Sequence, residues 1–251
     1  MSDKQARERF FSEWEDQYFT EDQSIYKLFT DITAGFVRGD VLDLGCGSRI
    51  YYDTSAVDKW VGVDLSPILL DGIQFLGGKA PTGAIETVQG NCEILEFDDE
   101  SFDFVCCIFL LHHMGRNNKA QSRAVVQKVI GQSMRVLKPG GSMIVMESWP
   151  HIVLQIYGWV FPLLYPVVRR MFNTELPLFW SAKELKQMAV DAGYDHSTCY
   201  PYLSMKRPNI RSAVLSCPAG CSGSFTNTDI TCLKNLQRGR ISVRKNCRWW
   251  E

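Results

Sequence analysis

Short apolar runs at residues 41–44, 60–63, 85–89, 102–109 and 142–147 alternate with longer segments of helical or turn character. Connections of that kind carry the chain back across a sheet, so that successive strands start in the same direction. The fold class expected is α/β, with a mostly parallel sheet covered by helices on both faces. The fourth run, FDFVCCIF, is apolar enough to predict burial on both of its faces.

The residues between the runs agree with this pattern. Ser66 and Pro67 are a helix N-cap and first-turn proline directly after the second run. Residues 119–137 read as a helix closed by Lys138-Pro139-Gly140-Gly141. Ser181 and Glu184 have the spacing of a capping box, opening a helix that stops near Gly193. Runs at 196–203 and 212–215 bring the expected sheet to seven strands. Upstream, Phe10, Phe11, Trp14, Tyr18, Ile25, Leu28, Phe29 and Ile32 recur at helical spacing and predict two helices within residues 5–37. The 251 residues suffice for one such domain over 1–216 and an extension over 217–251.

Residues 148–180 interrupt the pattern. No Asp, Glu, Lys or Arg occurs from Ser148 to Val168, which raises a membrane-spanning helix. Gln155, Gly158, Pro162 and Pro166 oppose that, and one crossing would separate strands that must share a sheet. An apolar cap inserted over a pocket is the reading preferred, with peripheral docking on a membrane as an intermediate one. Its aromatic residues make Trp149, His151, Tyr157 and Trp159 candidate substrate contacts, and an apolar small molecule the expected ligand. Arg169-Arg170 is read as a solvated pair.

A net charge of -1 gives no global reason to expect nucleic acid. The extension, with six Lys/Arg against two acids, is basic, and it holds four of the nine cysteines. Their spacing lacks the paired short knuckles of a zinc site, so no metal is expected. The opening residues are charged and carry no apolar core of a secretory signal, which implies a cytoplasmic protein with reduced thiols.

The first run ends in Asp43-Leu44-Gly45-Cys46-Gly47. Two glycines after a strand let the backbone turn tightly and approach a ligand. Asp43 can pair with a cationic group, and Asp64, at the end of the second run, can accept from two ribose hydroxyls. Alone, the glycines also suit an ordinary strand-to-helix turn, and Asp64 also suits a helix cap. Cys46 reads as a small residue filling the loop. A dinucleotide-binding loop would want a third glycine, where position 50 is Ile.

Taken in order, DLGCG, VGVDLSP, GNCEILEFDDESFDFV, LLHHM and VLKPGG resemble the motifs of class I S-adenosylmethionine-dependent methyltransferases. The small-molecule (methyltransferase type 11-like) group is the nearest in character. The resemblance implies a Rossmann-like fold and S-adenosyl-L-methionine as cofactor. It places Asp43 at the methionine amino end, Gly45, Cys46 and Gly47 along the cofactor, Asp64 at the ribose, and Asn91 and Cys92 at the adenine. Leu65, Ile108 and Tyr18 complete the implied cofactor set, with Trp14 on the substrate side. An acid is usual where Asn91 stands, and Ser48-Arg49 replaces a frequent third glycine.

Methyl transfer is a displacement needing alignment and, for a hydroxyl or ring-carbon acceptor, loss of a proton. His112 and His113, directly after the fourth run, are the candidate catalytic residues, His113 first by motif match. Glu147 and His151 are secondary. Oxygen is the accepting atom first expected, then carbon or nitrogen. Two rivals share the glycine turn and the acid: a nicotinamide-dependent oxidoreductase, and a non-catalytic cofactor-binding interaction module.

Overall fold

The computed structural model describes residues 30, 33–34, 36–116, 118–148, 167, 178–194, 196–202 and 210–216. Most of the expected N-terminal helices, nearly all of the cap and the whole extension lie outside these residues. So do Trp14, Tyr18, Trp149, His151, Tyr157, Trp159, Arg169 and Arg170.

The predicted alternation is present, with the first, second and fifth strands longer than their apolar runs. Strands β1 (Arg38–Leu44), β3 (Ala56–Asp64), β5 (Ile85–Gln89), β6 (Phe102–Ile108) and β7 (Leu137–Ser148) are joined by parallel pairings in the order β5-β3-β1-β6-β7. Beyond β7 the backbones of β9 (Ile210–Ser216) and β8 (His196–Tyr202) pair antiparallel, extending the order to β7-β9-β8. Chain order therefore reverses at β1, whose neighbours are β3 on one side and β6 on the other. In open α/β sheets the crevice at such a reversal, outside the carboxyl ends of the strands, is where ligands bind.

Side chains alternate across the sheet and build two cores. Leu42, Leu44, Val61, Val63, Val105, Cys107, Met143 and Val145 face helices α2 (Lys119–Val136) and α3 (Ala182–Asp191). Val41, Trp60, Phe104, Cys106, Ile144 and Met146 face the other way, against Tyr52, Ile50 and Leu70 of the short helix α1 (Pro67–Asp71). β6 is buried on both faces, as its composition predicts. β5 is an edge strand and exposed along its whole length.

Helix starts follow the sequence closely. The Ser181–Glu184 capping box is complete. Asn118 caps α2 by accepting from the Gln121 N–H at 2.9 Å. Ser66 stands at the N-cap of α1, but its side chain makes no cap bond, and α1 is barely longer than one turn. A parallel ladder between β2 (Arg49–Ile50) and β4 (Gln74–Phe75) has no counterpart in the expected elements, two residues each being too few for any periodicity. This ladder ties the backbone beyond Gly47 to the segment after α1.

At the amino edge, Lys138 bridges Asp40 and Asp103 at 2.9 and 2.8 Å. Residues 138–141 interrupt the β6–β7 register there, so the strand expected to begin at 142 begins at Leu137 instead.

Candidate active site

The loop after β1 turns under β3. The N–H groups of Gly45 and Cys46 both donate to the Val63 carbonyl, at 2.7 and 3.2 Å. Gly45 and Gly47 have φ of 63° and 59°, the left-handed region that a Cβ disfavours. A Cβ on Gly45 would lie 2.5 Å from Leu110 Cδ1, so the loop after β6 packs directly on this glycine. A Cβ on Gly47 would meet nothing within 4 Å, leaving room there for a ligand. The Asp64 carboxylate braces the turn: Oδ2 accepts from the Gly47 N–H at 3.0 Å and Oδ1 from the Ser66 N–H at 2.9 Å. Asp64 thus braces the turn into α1 without capping that helix, and stays partly exposed at the tip of β3. Burial pushes the Cys46 thiol well above its usual value, in keeping with a space-filling role.

Asp43 is 2% exposed. Trp60 Nε1 donates to the Tyr52 hydroxyl at 2.7 Å, and that hydroxyl donates to Asp43 Oδ2 at 2.8 Å. Burial pushes the Asp43 carboxyl up to about 7, against the Tyr52 hydrogen bond that lowers it, with a smaller upward push from Asp64. Tyr52 and Trp60 went unrecognised in the sequence. Their signal is Gly62, which pairs with Asp43 in register and leaves space for the Trp60 ring two residues earlier on the same face.

The loop beyond β5 carries Asn91 and Cys92. Asn91 is exposed, and its Oδ1 accepts from the Glu93 N–H at 3.0 Å in an Asx turn. Cys92 is buried, its thiol pushed up to about 12 by burial and then by Asp64. Leu65 is half-buried, its carbonyl accepting from Gln89 Nε2 at 3.1 Å. An Arg116–Glu93 ion pair joins this loop to the one after β6.

That second loop begins at half-buried Ile108 and passes through Phe109, which has φ of 52°, uncommon outside glycine. The Phe109 N–H donates to the Met146 carbonyl at 2.8 Å, and a 3-10 turn, Leu111–His113, follows. His112 Nδ1 lies 2.6 Å from Glu147 Oε2, while Glu147 Oε1 accepts from the Leu111 N–H, also at 2.6 Å. The His113 ring centre is 3.9 Å from that of His112. Burial, then the neighbouring imidazole, holds His113 well below the usual histidine value. The structure therefore brings Asp43, Gly45, Cys46, Gly47, Asp64, Leu65, Asn91, Cys92, Ile108, His112 and His113 to one edge of the sheet. Among the described residues no cluster of His, Cys, Asp and Glu could hold a metal ion. No described helix is long and apolar enough to cross a membrane.

A family model described as "Methyltransferase domain" matches residues 42–145, the span from β1 to β7 that carries this edge. Fold and site define the class: an enzyme that transfers a methyl group from S-adenosyl-L-methionine. Relatives carry the assignment further. The ubiquinone/menaquinone biosynthesis C-methyltransferase UbiE of Francisella tularensis subsp. tularensis (strain WY96-3418) is 33% identical over 192 residues, 68% of this chain and 73% of its own. Its counterpart from Pasteurella multocida (strain Pm70) is 29% identical over 198 residues, 70% of each chain. The chain belongs to the class I S-adenosylmethionine-dependent methyltransferases. A methyltransferase structure from Thermotoga maritima, 16% identical, shares the fold with a TM-score of 0.51 over 85% of this chain and 99% of that one.

Proposed function

We propose that this chain methylates a small, largely apolar aromatic acceptor of the hydroquinone type, at a ring carbon. The family likeness to enzymes named as quinone-biosynthesis C-methyltransferases supports carbon over the oxygen first expected from the sequence. The observation that carries the reading is the meeting of the Gly45–Gly47 turn, the Asp64 tip and the His112–Glu147 pair at one sheet edge. The cofactor fits what is there: open space over Gly47, an acid at the ribose position and a second, buried carboxylate nearby to favour a cation. When bound, it supplies a methyl group activated by a positive sulfur.

The residues of the chain would do the rest. Gly47 and Asp64 hold the nucleoside, Asn91, Cys92, Leu65 and Ile108 line the adenine, and the loop of Leu110 to His113 faces the acceptor. The apolar stretch 148–180 would close over the pocket as a cap, with Trp149, His151, Tyr157 and Trp159 toward the substrate and Tyr18 and Trp14 entering from the N-terminal helices. A seven-stranded methyltransferase domain over 1–216, acting in the cytoplasm and touching a membrane through this cap, completes the reading.

The test is calorimetry with S-adenosylhomocysteine, followed by transfer of a labelled methyl group to 2-prenyl-1,4-naphthohydroquinone read by mass spectrometry. Product with the label on a ring carbon is expected. Label on oxygen, or transfer only to acceptors lacking a hydroxylated ring, would sink the carbon assignment.

A further inference from the structure

Glu147 is a carboxylate in a place that makes carboxylates costly. It is 5% exposed at the carboxyl end of β7, and its two oxygens each take one N–H, from Leu111 and His112. Burying such a charge is tolerated only when its hydrogen bonds are made, and a neutral side chain could brace the Leu111 backbone with less cost. The remaining use is on the imidazole. An ionised carboxylate only accepts, so His112 Nδ1 carries a hydrogen and the lone pair of the neutral ring is left on Nε2.

The ring is also fixed in orientation. The Leu178 N–H donates to the His112 carbonyl at 2.9 Å, Trp180 Nε1 reaches the Leu111 carbonyl at 3.4 Å, and the Phe179 ring lies 5.6 Å away at 14° to the imidazole. Leu110, two residues earlier, packs on Gly45, so this turn borders the loop that holds the methyl donor. His113 differs: burial and the adjacent ring keep it neutral.

We infer that His112 accepts the proton of the methyl acceptor at Nε2, with Glu147 as the positioning residue that orients the ring. The inference rests on the methyltransferase reading above and narrows the acceptor to one that must lose a proton, such as a hydroxylated aromatic ring, rather than a thioether. The O–H bond of the hydroquinone breaks and its proton moves to Nε2. The electron pair, delocalised to the ring carbon, forms the new bond to the methyl carbon as the carbon–sulfur bond breaks and leaves its pair on sulfur. The ring carbon then loses its own proton to water while His112 returns the first proton to oxygen, so that one proton is released per methyl transferred.

Among the described residues, Glu147 from β7 and His113 from its own turn contact the His112 ring, and Cys107 of β6 lies close enough to Glu147 to feel its charge. Burial keeps the Cys107 thiol protonated. The Lys119 ammonium lies 5.9 Å from the Trp180 ring centre and pairs with Glu184. Glu147 is therefore the group expected to orient the His112 ring.

The test uses the full chain with 2-prenyl-1,4-naphthohydroquinone as acceptor. Glu147→Gln should lower kcat about tenfold with KM and S-adenosylhomocysteine affinity within about twofold. His112→Asn should cost roughly a hundredfold in kcat, and more than His113→Asn. A loss of kcat matched by lost S-adenosylhomocysteine binding, or the larger loss in His113→Asn, overturns the inference. Nitrogen-15 spectra of labelled histidine, recorded with S-adenosylhomocysteine bound, give a readout independent of the acceptor. Protonated Nδ1 with bare Nε2 on His112 supports the assignment, and the opposite tautomer overturns it. A wild-type chain that binds S-adenosylhomocysteine but leaves the hydroquinone unmethylated refutes the acceptor proposed above, and the tautomer then decides the inference alone.

Discussion

Replacing Asp43 by asparagine should stabilise the ligand-free protein at alkaline pH and leave it nearly unchanged in acid. The carboxyl of Asp43 is pushed up to about 7 in the folded chain, against an ordinary 3.8. Between those values the folded state holds a proton that the unfolded state has released, so stability falls as pH rises and is level again above about 8. Three units of difference correspond to about 4 kcal/mol at pH 8, at 1.36 kcal/mol per unit, and to about 1 kcal/mol at pH 4.5. The amide oxygen that Asp43→Asn introduces can still accept from the Tyr52 hydroxyl, so the substitution removes the charge and keeps the 2.8 Å bond. Urea unfolding of both proteins at pH 4.5 and 8 should therefore give a variant-minus-wild-type difference that grows by about 3 kcal/mol with pH, on the order set by the same linkage. A difference that stays constant, or grows toward acid, refutes the reasoning. The same variant should bind S-adenosylmethionine more weakly, since the anion beside the cationic methionine end is gone. In the wild type, that affinity should decline from pH 8 to pH 6.

Asp64→Ala should weaken S-adenosylhomocysteine binding by about tenfold or more in calorimetry, because it removes the ribose acid and frees the Gly47 and Ser66 N–H groups together. Unchanged affinity would remove Asp64 from the site. Gly45→Ala should destabilise by about 2 kcal/mol or more, from the left-handed backbone and the 2.5 Å approach to Leu110, measured by chemical denaturation. Gly131→Ala, inside α2 with nothing within 4 Å of the added methyl, should stabilise by about 0.5–1 kcal/mol and raise Tm without touching activity.

The alternation of strands and helices, the Ser181–Glu184 capping box and the glycine turn were legible because each is written in neighbouring residues. Alternation along β1 separates Leu42 and Leu44 from Val41 and Asp43, and Ser181 finds Glu184 three positions on. The pairings that give the site its chemistry are not local. His112 and Glu147 are 35 residues apart, and Asp43 meets Tyr52 through a loop of no regular period. Sequence placed His112, His113 and Glu147 at neighbouring strand ends, but motif position says nothing about which ring a carboxylate reaches. A usable hint was present in SMIVMES, where one acid closes an otherwise apolar central strand and must find a donor once buried. Phe109 hid for another reason: nothing in an aromatic residue announces a left-handed backbone.

The two edges of the sheet treat charge in opposite ways, and the contrast bears on which residues act. At the amino edge, Lys138, Asp40 and Asp103 form their ion pairs with side chains more than a third exposed. Such pairs are solvated at little cost and contribute little. At the carboxyl edge of the same strands, Asp43 and Glu147 are almost fully enclosed. At Asp43, removing the charge would, on the linkage worked above, leave the chain more stable. A fold needing only to stand would favour that exchange. A crevice that must hold a cation, and take a proton from its neighbour, requires charge where water is scarce, because there each carboxylate acts most strongly on what lies beside it. Substituting Asp43 should therefore raise stability while lowering function, the opposite of what loss of a purely structural residue would do.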